Sequence, residues 1–114
     1  MPFITGQKLK ALSERRVVER RRVNIGSWVT SLDGAMVLAC QTQDASASGV
    51  RVQPKETQVL PKTVYYLDVK DRMAYEAVVR WQEKNQAGLE FTKAYRFMDI
   101  PSPELKKVIK DIAP

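Results

Sequence analysis

The chain predicts a mainly β fold, an antiparallel barrel or sandwich with one helix at its C-terminal end. Three observations carry this. Strand-like segments with short turns between them follow one another from Val23 to Thr92. No stretch of helical period interrupts them, and consecutive strands without intervening helices pair antiparallel. Past Ser102 the apolar spacing changes to that of a helix.

In chain order, residues 4–13 have the spacing of a short amphipathic helix around Ile4, Leu9 and Leu12, weakened by Gly6. The stretch from Ser13 to Arg22 follows as a loosely ordered loop, because only Val17 and Val18 are apolar in it. The first strand begins at Val23, with Val23, Ile25, Ser27 and Val29 on one face. Asp33-Gly34 is a hairpin signal, and Ala35 to Thr42 forms the return strand. A turn from Asp44 to Ser48 leads to a third strand, where Val50 and Val52 point inward and Arg51 outward. Pro54 and Pro61 bracket a weakly patterned stretch with a short edge strand at Gln58 to Leu60. Val64 to Val69 alternates, with Tyr65, Leu67 and Val69 on the apolar face. Lys70-Asp71 turns into Arg72 to Gln82, the longest strand, and Glu83 to Ala87 turns back into Gly88 to Thr92. In the final segment, residues 102–112, Leu105, Val108, Ile109 and Ile112 form a helical stripe that packs on the barrel and closes an open end. Ser102 is its N-cap, Pro103 suits the first helical position, and Glu104 complements the positive helix end.

With 114 residues the chain reads as one domain, residues 1–114, whose core stands without disulfides. Hydrophobic residues at 44% and charged residues at 28% are an ordinary globular balance. The net charge of +6 favours an anionic partner. No apolar run has the length of a membrane span, and the N-terminus has no signal-peptide core, so a cytoplasmic location without membrane insertion is expected. Absence of histidine and a single cysteine exclude Ser-His-Asp and Cys-His catalysis and the usual zinc sites. Cys40 lies in the apolar run from Ala35 and reads as a small buried hydrophobe. No carboxylate pair stands out as an acid/base couple. The expectation is a protein that is not an enzyme, with no metal and no cofactor.

Two stretches carry binding chemistry. Five arginines stand between Arg15 and Arg22. A guanidinium is permanently charged, and its planar fork matches both phosphate oxygens and the O6/N7 edge of guanine. On its own the cluster reads as a solvated basic segment or an arm for nucleic acid backbones. The second stretch is Asp44-x-Ser46-x-x-Gly49, which on its own is a polar turn with a carboxylate, a hydroxyl and a glycine.

Taken together, Arg16-x-x-x-Arg20, a gap long enough for two strands, and Asp44-x-Ser46-x-x-Gly49 resemble the two-part signature of the PilZ family. The segments Val78-Val79-Arg80-Trp81 and Gly88-Leu89-Glu90-Phe91 are similar to that family's closing strand pair. The resemblance spans residues 14–92 and implies a six-stranded antiparallel β-barrel with a C-terminal helix. It also implies that the chain is a bacterial cyclic di-GMP receptor, signalling to an unidentified downstream protein in the control of motility, polysaccharide or virulence; the five clustered arginines, repelling one another with little apolar anchoring, are expected to order on the ligand and so pass the signal. By the same resemblance Arg16 and Arg20 are the signature arginines, assisted by Arg15 and Arg21. Asp44 would accept from guanine N1-H and N2-H, Ser46 would donate to phosphate or orient Asp44, and Gly49 would let the ligand lie close. Trp81 is either a core residue or a guanine platform. Arg51 is an auxiliary charge or an ordinary exposed arginine, and Arg22 is as well explained as surface. Glu19 stands between the signature arginines and can pair with one of them. Two alternatives remain: a single-stranded nucleic acid binder using Trp28, Trp81 and Tyr75 as a platform, and a PilZ adaptor that binds no ligand. The first leaves the Asp44 motif unexplained, and the intact signature counts against the second.

Overall fold

The computed structural model describes residues 21–113, the first five as backbone. The expected helix over residues 4–13 lies outside the described residues, as do Arg15, Arg16 and Arg20. Six strands follow in order: β1 (Arg21–Thr30), β2 (Val37–Ser46), β3 (Gly49–Pro54), β4 (Thr63–Asp68), β5 (Met73–Glu83) and β6 (Gln86–Arg96). A 3-10 turn (Phe97–Asp99) leads to the helix α1 (Pro103–Ile112). All strand pairs are antiparallel, and the sheet closes in the order β1-β2-β3-β6-β5-β4. The expected mainly β barrel with a C-terminal helix is therefore what the chain forms.

The interior is filled by the inward row of each strand: Val29, Leu38, Cys40, Val50, Val52, Val64, Tyr66, Ala77, Ala87 and Leu89 are all buried. Burial pushes the Cys40 thiol up to about 12, so it stays protonated at neutral pH and serves as a small hydrophobe. Buried polar groups satisfy one another. The Thr42 hydroxyl sits 2.8 Å from that of Ser27 and 2.7 Å from that of Tyr66, tying β1, β2 and β4 together inside the barrel.

Several elements differ from the expectation, each for a local reason. Strand β1 begins at Arg21, so the last two arginines of the basic stretch belong to the sheet, opposite Ala45 and Asp44 of β2. Strand β2 starts two residues later than Ala35. The amides of Ala35 and Met36 donate instead to Asp33 Oδ1 (3.0 Å) and Ser31 Oγ (3.0 Å), which hold the loop after Asp33. The Ser31 hydrogen bond, followed by that from the Ala35 amide, lowers the pKa of Asp33. No turn spans Asp44 to Ser48: β2 continues to Ser46, and only Ala47 and Ser48 make the hairpin. No strand forms at Gln58 to Leu60. The Gln82 side chain takes the place of a partner strand, accepting from the Leu60 amide at 3.0 Å and donating to the Gln58 carbonyl at 2.7 Å. The turn expected from Glu83 to Ala87 is just Lys84-Asn85, with Lys84 at φ 51°, and β6 runs on to Arg96, as long as β5.

The apolar face read for β4 does not line the barrel. Val64 and Tyr66 point inward, while Tyr65 and Leu67 point outward into a second core with Ala74, Phe97, Ile100, Leu105, Ile109 and Ala113. Helix α1 thus lies against the outer wall, with Val108 and Glu104 beside the Gly34 turn between β1 and β2. Its start follows the expected chemistry: Pro103 opens the helix, and Ser102 Oγ accepts from the Leu105 amide at 3.1 Å. Among the described residues no helix is long and apolar enough to cross a membrane.

Candidate functional site

Strict alternation would scatter the site residues over both faces of the sheet. Two β-bulges prevent this. On β2, Thr42 faces Val52 and Asp44 faces Arg51, so Gln43 is an extra residue in the strand. Thr42 and Ala45 both point at the core, and Asp44 is turned to the outside. The Gln43 amide is held from two sides, donating to Gln53 at 2.6 Å and accepting from Gln86 at 3.1 Å. On β5, Val79 faces Leu89 and Trp81 faces Gly88, which makes Arg80 the extra residue. Val79 packs on the interior, while Trp81 is turned outward and is 41% exposed.

The result, from β2 to β5, is one continuous cross-strand row on the outside of the barrel, with Arg22 at its end by backbone register alone. Arg22 of β1 stands opposite Asp44 of β2, Asp44 opposite Arg51 of β3, Arg51 opposite Gly88 of β6, and Gly88 opposite Trp81 of β5. Five strands therefore contribute, in order, a basic position, a carboxylate, a guanidinium, a gap and an aromatic. Directly opposed residues are close enough to interact. Arg51 Nη2 lies 2.7 Å from Asp44 Oδ2, an ion pair whose side chains keep 33% and 14% of their exposure. The gap is used by the indole: a Cβ on Gly88 would fall 2.2 Å from Trp81 Nε1, so the ring lies over that glycine.

Beside this row a shallow pocket of about 230 Å³ opens between β3, β5 and β6. Its polar lining comes from Ser48, Arg51, Arg80, Trp81 and Glu90. Arg80 Nε donates to Glu90 Oε1 on its rim, with both side chains largely in solvent. Gly49 forms part of the floor. A Cβ there would sit 2.1 Å from the Leu89 carbonyl oxygen, so only glycine allows β3 to approach β6 this closely.

Of the residues expected to bind, Asp44, Gly49, Arg51 and Trp81 come together on this face. Arg51 belongs both to the ion pair and to the pocket, and so joins the Asp44 side to the Trp81 side. Ser46 serves the hairpin: its hydroxyl accepts from the Ser48 amide at 3.3 Å and lies 3.3 Å from the Ser48 hydroxyl. Asp44 is held by Arg51 rather than by Ser46. Arg21 occupies a register position opposite Ala45 at the same end of β1. Arg80 and Glu90 were not anticipated. The only signal in the sequence was their position beside Trp81 and Gly88 in the closing strand pair. The aromatic platform expected for nucleic acid does not form as a surface: Trp28 packs against the core under α1, and Tyr75 stacks on Phe91 inside the barrel with ring centroids 4.2 Å apart. Among the described residues, no group of His, Cys, Asp and Glu is placed to hold a metal ion.

A comparison with curated proteins finds no match. The family model for the PilZ domain matches residues 14–112. PilZ domains as a family bind cyclic di-GMP and act as binding and adaptor modules rather than as catalysts. Matched over nearly its whole length, and folded as a closed six-stranded barrel with a C-terminal helix, the chain belongs to the PilZ domain family.

Proposed function

We propose that this chain is a cyclic di-GMP receptor, with the ligand lying across the outer row from Asp44 to Trp81 and gripped by the arginines that precede β1. The observation that carries the reading is the row itself: two bulges place a carboxylate, a guanidinium and an indole on one face of a barrel whose family binds this dinucleotide. A carboxylate matches the N1-H and N2-H donors of guanine, a guanidinium matches phosphate oxygen, and an indole offers a stacking face. The described pocket, about 230 Å³, is below the roughly 300–1,000 Å³ of typical small-molecule sites. Arg15, Arg16 and Arg20 supply the remaining contacts in this proposal, with Arg21 and Ser46 at its margin.

Signalling then follows from ordering. Arg21 and Arg22 are already paired in β1, which confines a ligand-driven change to the residues ahead of them. A ligand that bridges those arginines and the Asp44 row favours the ordered arrangement by differential contact, and a downstream protein reads the new surface. Calorimetry with cyclic di-GMP, and GTP as control, tests the binding. Arg16→Ala and Arg20→Ala are each expected to cost about 1.5–3 kcal/mol of binding energy, the loss of one charge-assisted contact. Amide exchange tests the ordering: residues 15–20 gain protection with ligand, whereas Arg21 and Arg22 are protected without it. Absence of cyclic di-GMP binding to the native protein overturns the proposal.

A further inference from the structure

We infer that Arg80 and Glu90 form a second guanine-reading pair, selecting the base stacked on Trp81 independently of Asp44. The inference rests on the reading of the chain as a cyclic di-GMP receptor, and it assigns the other end of the ligand. Cyclic di-GMP carries two guanines, and one carboxylate can read only one of them. Asp44 does not line the Trp81 pocket. Its carboxylate lies across the row, bound to Arg51. The base that stacks on Trp81 therefore meets a different set of polar groups, and the rim supplies them in a definite order.

Along one side of guanine the groups N7, O6, N1-H and N2-H2 run acceptor, acceptor, donor, donor. A guanidinium followed by a carboxylate presents the complementary order of donors and then acceptors. Arg80 and Glu90 stand in this arrangement at the pocket, joined by a hydrogen bond from Nε to Oε1. That bond uses one of the five N–H donors of the guanidinium and one of the two carboxylate oxygens. The pair is exposed, 60% for Arg80 and 47% for Glu90, so it is weakly held and a base edge can enter it without a large loss. Adenine shares only the N7 acceptor: its N6 amine would face the guanidinium and its N1 acceptor the carboxylate. The bulge at Arg80 explains why this pair stands beside the indole, since it turns Trp81 to the outer side that Arg80 and Glu90 share.

The test compares cyclic di-GMP with cyclic di-IMP, whose hypoxanthine bases lack only the N2 amine. Calorimetry on the native protein, Glu90→Gln, Glu90→Ala and Arg80→Ala gives the ratio of the two affinities for each. Glu90→Ala is expected to lower that ratio on the order of tenfold, because the N2-H acceptor is gone, and Glu90→Gln to lower it less, because one uncharged amide oxygen still accepts, while Asp44 keeps the discrimination at the other base. Arg80→Ala should weaken both dinucleotides alike, since N7 and O6 are common to them. If both Glu90 variants retain the native ratio, this inference falls and the receptor reading stands. If Glu90→Ala instead binds both dinucleotides more tightly by one factor, Glu90 only restrains Arg80 and the inference is again overturned. Failure of the native protein to bind cyclic di-GMP removes both readings together.

Discussion

Asp44 and Arg51 hold each other at 2.7 Å before any ligand arrives, and this sets the expected behaviour of the central carboxylate. Arg51 fixes where the Asp44 oxygens point, so that in the proposed complex a guanine edge meets an oriented acceptor. Asp44→Ala removes that acceptor and leaves a partly buried guanidinium without its counter-ion. The expected outcome is a large loss of cyclic di-GMP affinity and a much smaller loss for cyclic di-AMP, whose purine has no N1-H or N2-H to offer. Titration of both dinucleotides into both proteins checks it, and equal weak binding of the two by the native protein would identify a general anion site instead. At this scale the sequence was partly readable. The spacing of Asp44, Ser46 and Gly49 marks a site because three residue types with distinct chemistry occur in a fixed pattern. Arg80 and Glu90 carry no such mark. Arg80 faces outward by simple alternation, but its place beside an outward Trp81 depends on a bulge that is set by pairing with Leu89 and Gly88 on another strand.

Among the elements, β3 shows the tightest constraint. Gly49 lets it lie against β6 so closely that a methyl group would overlap the Leu89 carbonyl oxygen, which belongs to the ladder and cannot rotate away. Gly49→Ala is therefore expected to destabilise the fold by about 1–3 kcal/mol through forced separation of β3 from β6. It should also widen the pocket floor and weaken ligand binding. The urea midpoint reports the first effect and calorimetry the second; an unchanged midpoint would show that the strands separate without cost. Element types were legible because period-two alternation survives in most strands. The exceptions have physical causes. Strand β4 is covered on both faces, so its apolar side could not be assigned to the interior by periodicity alone. The Gln58 to Leu60 segment is satisfied by one glutamine side chain from 22 residues away, which no local pattern reveals.

For the whole molecule, two cores share the work: one inside the barrel, and one between its outer wall and α1. Leu105 is fully buried in the outer core, against β4 and the segment that follows β6. Leu105→Ala is expected to cost about 2–5 kcal/mol, as for a deeply buried leucine elsewhere. Because the proposed binding row lies on β2, β3, β6 and β5, the variant should keep the proposed cyclic di-GMP affinity at temperatures where it remains folded. Thermal melting followed by calorimetry separates the two. A parallel loss of affinity would mean that the helix and the row are energetically coupled. The fold class and the presence of α1 could be read from composition and period. Closure of the barrel could not, since it rests on three pairs between β1 and β4, residues far apart in the chain.

The bulges at Gln43 and Arg80 make this binding face a matter of parity. Substitution leaves the count of residues in a strand unchanged, so it can alter a contact but not the side on which the others stand. Gain of one codon does the reverse. One residue inserted between Arg80 and Trp81 would take the place opposite Gly88 and commit Trp81 to the interior, where Val79 and Leu89 already fill the space. The indole platform would vanish although Trp81 itself had not mutated. In a lineage of such barrels, single-residue insertions just after these two positions are thus a short genetic route to the loss of this face.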